Sequence, residues 1–223
     1  MADIGGIRHS TREVNMIIYD ISMTIEKNMG VYKNKEEKRP IIKFEKKIPK
    51  DNINESSLYM NVHTGTHIDA PFHIDDNGAT TDDVNLNKLI TKCRVLDMTT
   101  VADRITKEDL IDKDIRSGEF LLLKTRNSFT EEFDPNFVFV EKGAAQYLAE
   151  KAIIGVAIDA FGIERSQPNH ETHKTLFNKG IIIIEGVRLK EIQESEYFLC
   201  ALPLKINGID GSPARVVLIK DLI

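Results

Sequence analysis

Three histidines and an aspartate occur within eleven residues of this 223-residue chain, and their positions restrict how the surrounding segment folds. All four occupy odd-numbered positions: His63, His67, Asp69 and His73. A helix is disfavoured here, because Gly65 and Pro71 weaken or end helices. In an extended chain the side chains alternate between two faces, so these four would point to one side. The segment therefore predicts a strand whose side chains bind metal.

A straight strand would keep the first two histidines too far apart for a shared metal ion. Each residue advances a strand by about 3.3 Å, so His63 and His67 would stand ~13 Å apart. Metal–nitrogen bonds of about 2 Å require their ring nitrogens to converge. Gly65 lies between them and tolerates a bend or a bulge. We therefore expect the strand to kink at Gly65.

A lone histidine is more often a hydrogen-bonded structural residue than a metal ligand. Here, however, three of the chain's six histidines lie in one short segment. They alternate in phase with an aspartate and are interrupted by glycine and proline, a combination that core packing does not explain. The cluster therefore favours a metal site over a structural role.

Short apolar runs separated by polar segments predict more strands than helices. The predicted strands cover residues 14–22, 41–48, 57–67, 93–98, 119–125, 153–159, 180–186, 197–206 and 214–220. The strongest helix signal covers residues 137–153, and Thr106-Lys-Glu-Asp109 has the form of a capping box that opens a short helix. Residues 23–38, 127–136 and 164–178 are expected to be loops. We expect one domain over residues 1–223, of α/β or α+β class, with a mixed, β-rich core and a few outer helices.

Two acidic residues each end an apolar run. Asp159 follows the predicted strand at 153–159, where functional residues often lie, although a plain turn aspartate explains it equally well. Glu185 follows four isoleucines, and burying a lone carboxylate is costly unless it meets a cation. The alternative for Glu185 is a surface ion pair with Arg188 or Lys190.

The composition bounds the class of protein. With 41% hydrophobic and 29% charged residues, the chain can bury a core without disulfides. Its net charge of −5 argues against a nucleic-acid or membrane surface. Cys93 and Cys200 lie in apolar runs, which fits buried thiols in a reducing compartment. No segment has the length of a signal peptide core or a membrane span, so we expect a soluble, cytoplasmic protein.

The segment from His63 to His73, His-x-Gly-Thr-His-x-Asp-x-Pro-x-His, resembles the signature of the metal-dependent cyclase-type hydrolases. This family includes bacterial kynurenine formamidase and isatin hydrolase. Other blocks are similar to the same family: Tyr19-Asp-Ile-Ser22, the stretch from His173 to Gly186, Ala201-Leu-Pro-Leu-Lys205, and Gly211-Ser-Pro-Ala-Arg215. The resemblance extends from about residue 17 to the end of the chain, and it implies a swivelling β/β/α fold.

The resemblance also implies a role for each candidate residue. Five residues would bind metal: His63, His67, Asp69, His173 and Glu185. The first three would hold one divalent ion and the last two would complete a second site, with Asp69 and Glu185 bridging. His73 would stay free as general base and then acid, because an imidazole titrates near the working pH. His170 competes with His173 for the ligand role.

A metal ion held by histidines and carboxylates lowers the pKa of bound water towards about 7 and polarises a carbonyl oxygen. The donors contain no thiolate, so we expect zinc or manganese, one or two ions per chain. Ser212 lacks the Gly-x-Ser-x-Gly frame of a serine nucleophile. The chain also has no phosphate-binding loop or dinucleotide fingerprint. Amide or ester hydrolysis by metal-activated water is the mechanism that these residues favour.

The resemblance implies an arylformamidase-like enzyme of tryptophan catabolism, which would convert N-formyl-L-kynurenine to kynurenine and formate. One alternative is hydrolysis of a cyclic amide or another small substrate, and another is a metal-binding protein without catalysis. The latter would have no need of a free His73. The resemblance further suggests a homodimer or larger assembly, with the loop at residues 23–38 near a neighbour's site. The partners expected are therefore a small-molecule substrate and further copies of the chain.

Overall fold

Strands dominate residues 16–220, the part of the chain that the computed structural model describes. The strands are β1 (Ile17–Asp20), β2 (Ile41–Lys46), β3 (Glu55–Tyr59), β4 (His67–Asp69), β5 (Ile90–Asp97), β6 (Arg104–Ile105), β7 (Phe120–Lys124), β8 (Phe139–Val140), β9 (Gly155–Ile158), β10 (Ile182–Glu185), β11 (Glu196–Pro203) and β12 (Gly211–Lys220). The helices are α1 (Lys107–Ile111), α2 (Lys142–Glu150) and α3 (Glu171–Phe177). The first predicted strand, residues 14–22, begins outside the described residues, and its described part forms β1.

Seven of the strands close into a barrel. Their order is β12-β11-β5-β7-β9-β10-β4, and β4 pairs again with β12 to complete the ring. Within this ring, β5, β7, β9 and β10 run parallel to one another. β4, β11 and β12 pair antiparallel with their neighbours. β1 lies outside this ring and pairs antiparallel with β12. The sheet is therefore mixed, as expected.

Alternate residues of the parallel strands fill two separate cores. Leu122 and Ile184 pack with side chains from β11 and β12, inside the barrel. Leu121 and Ile183 pack instead beneath the helices, with residues of α1, α2 and α3. Both faces of β7, β9 and β10 are buried, which explains why these three strands are continuous apolar runs rather than alternating ones. The predicted fold class, a β-rich core with a few outer helices, is confirmed.

Two predictions about helices need correction. Residues 164–178 were expected to form a loop, but Glu171–Phe177 forms α3. The inward side of α3 carries Thr172, His173 and Leu176, and its outward residues are polar, so the segment as a whole has the composition of a loop. α2 is shorter than the predicted helix at 137–153, because Phe139–Val140 forms a strand with β6. The capping box of Thr106 and Asp109 is confirmed at the start of α1.

The predicted metal strand at residues 57–67 is interrupted. β3 ends at Tyr59, a turn occupies residues 60–66, and β4 begins at His67. The turn contains Gly65 with a φ of +68°, a left-handed conformation that favours glycine. The bend at Gly65 is therefore confirmed, but His63 lies in the turn rather than on an extended strand.

The hairpin of β2 and β3 lies apart from the barrel. Every residue of both strands is exposed, whereas the predicted strand at 41–48 was expected to be half-exposed. The loop at residues 23–38 behaves differently, because Met29 and Val31 are buried against their own chain. The hairpin therefore exposes large apolar side chains, among them Ile42, Phe44 and Leu58, whereas the loop buries Met29 and Val31.

Two observations concern the chemical class of the chain. Cys93 and Cys200 are both free thiols, of which Cys93 is buried as expected and Cys200 is only partly buried. Burial raises the pKa of Cys93 to about 12. Within residues 16–220, no helix combines the length and the apolar character needed to cross a bilayer.

Candidate metal centre

The register of two barrel strands brings the predicted ligands together. β4 and β10 are antiparallel neighbours, and Glu185 lies directly opposite His67. Opposite residues of an antiparallel pair share one face of the sheet, with Cβ atoms about 4.5–5.5 Å apart. Asp69 is two residues beyond His67 and lies on the same face, while Ile68 points into the barrel core. This face lies beneath α3, which adds the buried side chain of His173.

Asp69 is the carboxylate around which the histidines gather. Its Oδ1 lies 2.9 Å from His63 Nδ1 and 3.3 Å from His67 Nε2. Its Oδ2 lies 3.4 Å from His173 Nε2. The turn at Gly65 therefore achieves what a straight strand could not, since it folds His63 back onto the carboxylate of Asp69.

Glu185 is the second buried carboxylate of the cluster. Its Oε2 lies 3.4 Å from His67 Nε2, and its Oε1 lies 3.5 Å from His173 Nε2. Oε1 also accepts a hydrogen bond of 2.6 Å from the backbone N–H of Ile163. The alternative of a surface ion pair with Arg188 or Lys190 is wrong, because Glu185 is 95% buried and faces histidines.

Two sets of possible metal donors result from this geometry. In each set, one atom per residue lies within 4.8 Å of the others. The sets are His63, His67 and Asp69 on one side, and Asp69, His173 and Glu185 on the other. The structure thus brings together all five residues that were predicted to bind metal, and Asp69 belongs to both sets.

One ring nitrogen of His67 indicates whether this cluster suits a cation. Nδ1 lies 2.9 Å from the carbonyl oxygen of Gly65, so Nδ1 carries a hydrogen and donates it. Nε2 is buried, faces Asp69 and Glu185, and makes no hydrogen bond within the described residues. Burial alone would lower the pKa of His67, but the two carboxylates outweigh it and raise this pKa to about 10. The carboxylates favour positive charge at Nε2, so the residues present fit a metal ion.

The pKa values of Asp69 and His173 are also shifted so that each group favours its charged form. Burial tends to raise the pKa of Asp69, but three neighbouring histidines hold it well below its ordinary value. Burial tends to lower the pKa of His173, but Asp69, Glu164 and Glu185 raise it well above the ordinary value. The two carboxylates are therefore kept ionised, which is the form that binds a divalent ion.

His73 lies beside the cluster but outside both donor sets. It ends the short turn of Pro71–His73 that follows β4, and its ring centroid lies 4.2 Å from that of His63. A third of its side chain is exposed (33%). Burial lowers its pKa, so the imidazole is neutral near pH 7. A neutral, accessible imidazole at this position can accept a proton from a bound molecule.

Two carboxylates of the centre were not identified from the sequence. Asp210 Oδ2 lies 2.8 Å from His63 Nε2. Glu164 Oε1 lies 2.9 Å from His173 Nδ1 and 2.8 Å from Nδ1 of the exposed His170. Each carboxylate contacts the second nitrogen of a histidine in the donor sets, the usual arrangement around metal-binding histidines. The sequence signal for Asp210 was its position directly before the Gly211 block, and Glu164 had none.

Further donor groups exist at the edges of the centre. His63, His73 and Asp210 form one, and Glu164, His170 and His173 form another. Both are more exposed than the two central sets, since His73 and His170 reach the surface.

Asp159 is not part of the centre. Its carboxylate accepts hydrogen bonds from Thr125, Asn127 and Ser128, at distances of 2.6 to 3.3 Å. It therefore fixes the turn after β7, and the two readings left open for it are decided in favour of a structural role.

Aromatic side chains line a small pocket beside His63 and His67. Tyr32, Lys38 and Phe161 contribute to its walls. Burial raises the pKa of Tyr32, and the charges of Glu185 and Glu164 raise it further. Tyr32 and Phe161 thus lie beside two of the predicted ligands.

Known proteins are similar to this chain in sequence and in fold. A model of the Cyclase family, described as "Putative cyclase", matches residues 19–165. Kynurenine formamidase from Bacillus cereus (strain ATCC 10987 / NRS 248) is 34% identical over 169 residues, which are 75% of this chain and 80% of that protein. A structure described as a predicted metal-dependent hydrolase from Bacillus stearothermophilus has 50% sequence identity and a TM-score of 0.84, over 92% of this chain and 98% of that one.

A more distant structure shares the fold. Isatin hydrolase A from Ralstonia solanacearum has a TM-score of 0.80 over 92% of each chain, at 18% sequence identity. The matched family model includes the segment from His63 to His73 and the carboxylate of Glu164. The resemblance seen in the sequence is therefore confirmed: the chain belongs to the Cyclase family.

Proposed function

We propose that this protein is an arylformamidase-like amide hydrolase, which converts N-formyl-L-kynurenine and water to kynurenine and formate. The observation that carries the proposal is His73, a neutral and accessible imidazole beside the two donor sets but outside them. The kynurenine formamidase of Bacillus cereus, at 34% identity, supports the choice of substrate. A purely structural metal site would have no use for such a base.

The residues of the centre divide the work of hydrolysis. When bound, a divalent ion lowers the pKa of a water molecule towards about 7 and polarises the carbonyl oxygen of an amide. His73 Nδ1 faces Asp210, so Nε2 is the atom that accepts the proton of the attacking water. The water oxygen bonds to the formyl carbon, the C–N bond breaks, and His73 returns the proton to the leaving amine. Asp69 and Glu185 are the carboxylates that would hold the ion and balance its charge.

Aromatic side chains on one side of the centre suit an aryl amide. Tyr32 and Phe161 flank the pocket beside His63 and His67, and Lys38 adds a positive charge there. An aromatic ring packed against Tyr32 or Phe161 gains stacking and apolar contact. Lys38 would attract the carboxylate that N-formylkynurenine carries.

A cyclic amide is the second candidate substrate, because hydrolysis of a lactam breaks the same kind of bond with the same groups. The likeness to isatin hydrolase A, at 18% identity, supports a common fold and leaves the substrate open. We expect zinc or manganese in the centre, with one or two ions per chain, since the donors are imidazole and carboxylate.

A substrate screen tests this proposal. The metal-reconstituted protein is assayed with N-formylkynurenine, formanilide and isatin, and each is measured with zinc and with manganese. We expect turnover of the two formamides to exceed turnover of isatin. Faster hydrolysis of isatin would favour the cyclic-amide alternative, and absence of turnover on all three would disprove the proposed activity.

We also propose that two copies of the chain associate through the hairpin of β2 and β3. Ile42, Phe44 and Leu58 lie on one face of this hairpin, and Phe44 is 63% exposed. A two-stranded hairpin is at best marginally stable alone, and neighbouring exposed apolar side chains mark interaction surfaces. A second copy carries the same apolar face, so a twofold contact covers both faces at once.

Light scattering at micromolar concentration tests the association. We expect a dimer for the wild type and a shift towards monomer for Phe44→Glu. Phe129→Glu is the matched control, because Phe129 is an exposed phenylalanine outside the hairpin. A monomeric wild type, or dissociation by both variants alike, would contradict this interface.

A further inference from the structure

Asp210 contacts two histidines to which we assign different roles. Its Oδ2 lies 2.8 Å from His63 Nε2 and 3.3 Å from His73 Nδ1. We propose that Asp210 is a positioning residue that orients the ligand His63 and the base His73 at the same time. The inference rests on the proposed function, because it takes His73 as the base.

His63 is held at both of its ring nitrogens. Nδ1 faces Asp69 Oδ1 at 2.9 Å, within the first donor set, so Nδ1 is the atom available to a metal ion. Nε2 then carries the hydrogen and donates it to Asp210. A carboxylate in this position fixes the tautomer and the ring plane of a ligand histidine, and it increases the basicity of the nitrogen that binds the ion.

His73 depends on Asp210 more strongly than His63 does. Within the described residues, the contact with Asp210 is the one hydrogen bond that the ring of His73 makes. Nδ1 donates to the carboxylate, and Nε2 remains free to accept a proton. A carboxylate that orients an imidazole base in this way is a common element of acid–base catalysis.

The loop that carries Asp210 is itself fixed to the rest of the centre. The backbone N–H of Ala70, next to Asp69, donates to the carbonyl oxygen of Asp210 at 3.0 Å. One residue earlier, the carbonyl oxygen of Ile209 accepts a hydrogen bond of 3.1 Å from Thr81. The backbone that carries this carboxylate is therefore held in place beside Asp69, as a positioning role requires.

Gly211 leaves room for the ring that Asp210 orients. A Cβ atom at this position would lie 2.6 Å from His63 Cε1 and 3.0 Å from each ring nitrogen. No side chain fits there unless the imidazole moves. Asp210 and Gly211 together thus form a seat for His63, with a hydrogen bond at one edge of the ring and a bare backbone against its face.

Asp210→Asn is the direct test, because asparagine keeps the shape but replaces one acceptor oxygen by a donating amide. We expect metal affinity, measured by competition with a chelator, to fall by about 10- to 100-fold. At saturating metal, kcat should fall by about 10- to 100-fold, and KM should change less than kcat. Asp82→Asn is the matched control: Asp82 accepts the N–H of Gly208 in the same loop, and asparagine retains that acceptor.

The same substitution in a His73→Ala background separates the two roles. Metal affinity should fall by the same factor as before, because His63 is still present. The further loss of kcat should be less than about two-fold, because the base through which Asp210 acts has been removed. Asp82→Asn should leave both quantities unchanged in either background.

Three results would overturn the inference. Unchanged metal affinity in Asp210→Asn would remove the role towards His63, and an equal loss of kcat with and without His73 would remove the role towards His73. If thermal unfolding shows that Asp210→Asn does not fold, Gly211→Ala displaces the ring of His63 without removing a carboxylate. Unchanged metal affinity in that variant would count against the seat. Metal affinity is measured without substrate, so failure of the proposed activity is distinguishable from failure of this inference.

Discussion

Two buried carboxylate centres of this protein differ in what surrounds them. The carboxylate of Asp159 accepts hydrogen bonds from neutral N–H and O–H groups of Thr125, Asn127 and Ser128. Asp69 and Glu185 instead face histidine nitrogens at 2.9 to 3.5 Å, and one of these nitrogens, on His67, makes no hydrogen bond within the described residues.

The electrostatics follow the same division. Burial raises the pKa of Asp159 above its ordinary value despite the donors around it. The histidines around Asp69 outweigh burial and hold its pKa well below the ordinary value. A buried carboxylate is therefore not in itself the mark of a metal site. The type of donor around it distinguishes a carboxylate that fixes a turn from one that holds a cation, and four substitutions test this distinction.

The largest effect is expected at Asp69, because it belongs to both donor sets. Asp69→Asn replaces the shared charge with a neutral amide, so metal content and activity should be lost together, with a fall in kcat/KM of more than about a thousand-fold. Elemental analysis and a formamide assay measure the two. Asp75→Asn, in the exposed turn after His73, is the control and should retain both. An Asp69→Asn protein with full metal content would contradict the assignment.

His73→Ala should separate catalysis from metal binding. We expect a loss of rate of about a hundred- to ten-thousand-fold with the metal content intact, since His73 lies outside the two central sets. His170→Ala, a substitution of an exposed histidine, should change little. Loss of metal in His73→Ala equal to that in Asp69→Asn would make His73 a ligand, through the donor group that it forms with His63 and Asp210.

Glu185→Gln tests the second donor set, because Glu185 belongs to that set and not to the first. The glutamine retains an acceptor for the N–H of Ile163 but lacks the charge that faces His67 and His173. We expect a lower metal stoichiometry, or a fall in metal affinity of about 10- to 100-fold, with slower turnover. Unchanged metal content and unchanged rate would leave a single ion on His63, His67 and Asp69.

The smallest effect on activity is expected at Asp159, where the effect is on stability. Asp159→Asn removes an acceptor from buried donors of Thr125 and Ser128, at a cost of about 1–3 kcal/mol in the free energy of unfolding. For a chain of this length, each kcal/mol lowers Tm by roughly 2–4 °C. Metal content per folded chain should be unchanged. Loss of metal without loss of stability would remove the distinction between the two centres.

Much of the barrel is predictable from the sequence, because strands buried on both faces are short apolar runs. Residues 119–125 and 180–186 were found in this way and contain β7 and β10. Where one face is polar, the signal is weak. α3 turns Thr172, His173 and Leu176 inward and polar residues outward, so its segment has the composition of a loop.

The residues of the metal centre also differ in how far the sequence predicts them. His63, His67, Asp69 and His73 are close in sequence, and their spacing alone indicates a metal site. Glu185 and His173 reach it through the pairing of β10 with β4, a long-range contact that spacing does not contain. The family resemblance assigned both as ligands, and for Glu185 the cost of burying a lone carboxylate after four isoleucines gave a second reason.

Asp210 and Glu164 were missed for a different reason. Each is a single acidic residue outside the quoted motifs, although Asp210 directly precedes the Gly211 block. Their function depends on which histidine nitrogen they meet, at 2.8 Å for Asp210 and 2.9 Å for Glu164. Only the three-dimensional arrangement contains that information.

The short strand β4 closes the barrel and carries two of the predicted ligands. It contributes three residues, yet it joins β10 to β12 and thereby makes the sheet cyclic. His67 and Asp69 are on β4, and Glu185 is on β10, so an ion held by these residues would link the two strands at the shortest strand of the ring. Bound metal would therefore stabilise the closed ring against local opening at β4. Slower hydrogen exchange of the β4 amides in the metal-loaded protein than in the chelator-treated protein would show this effect.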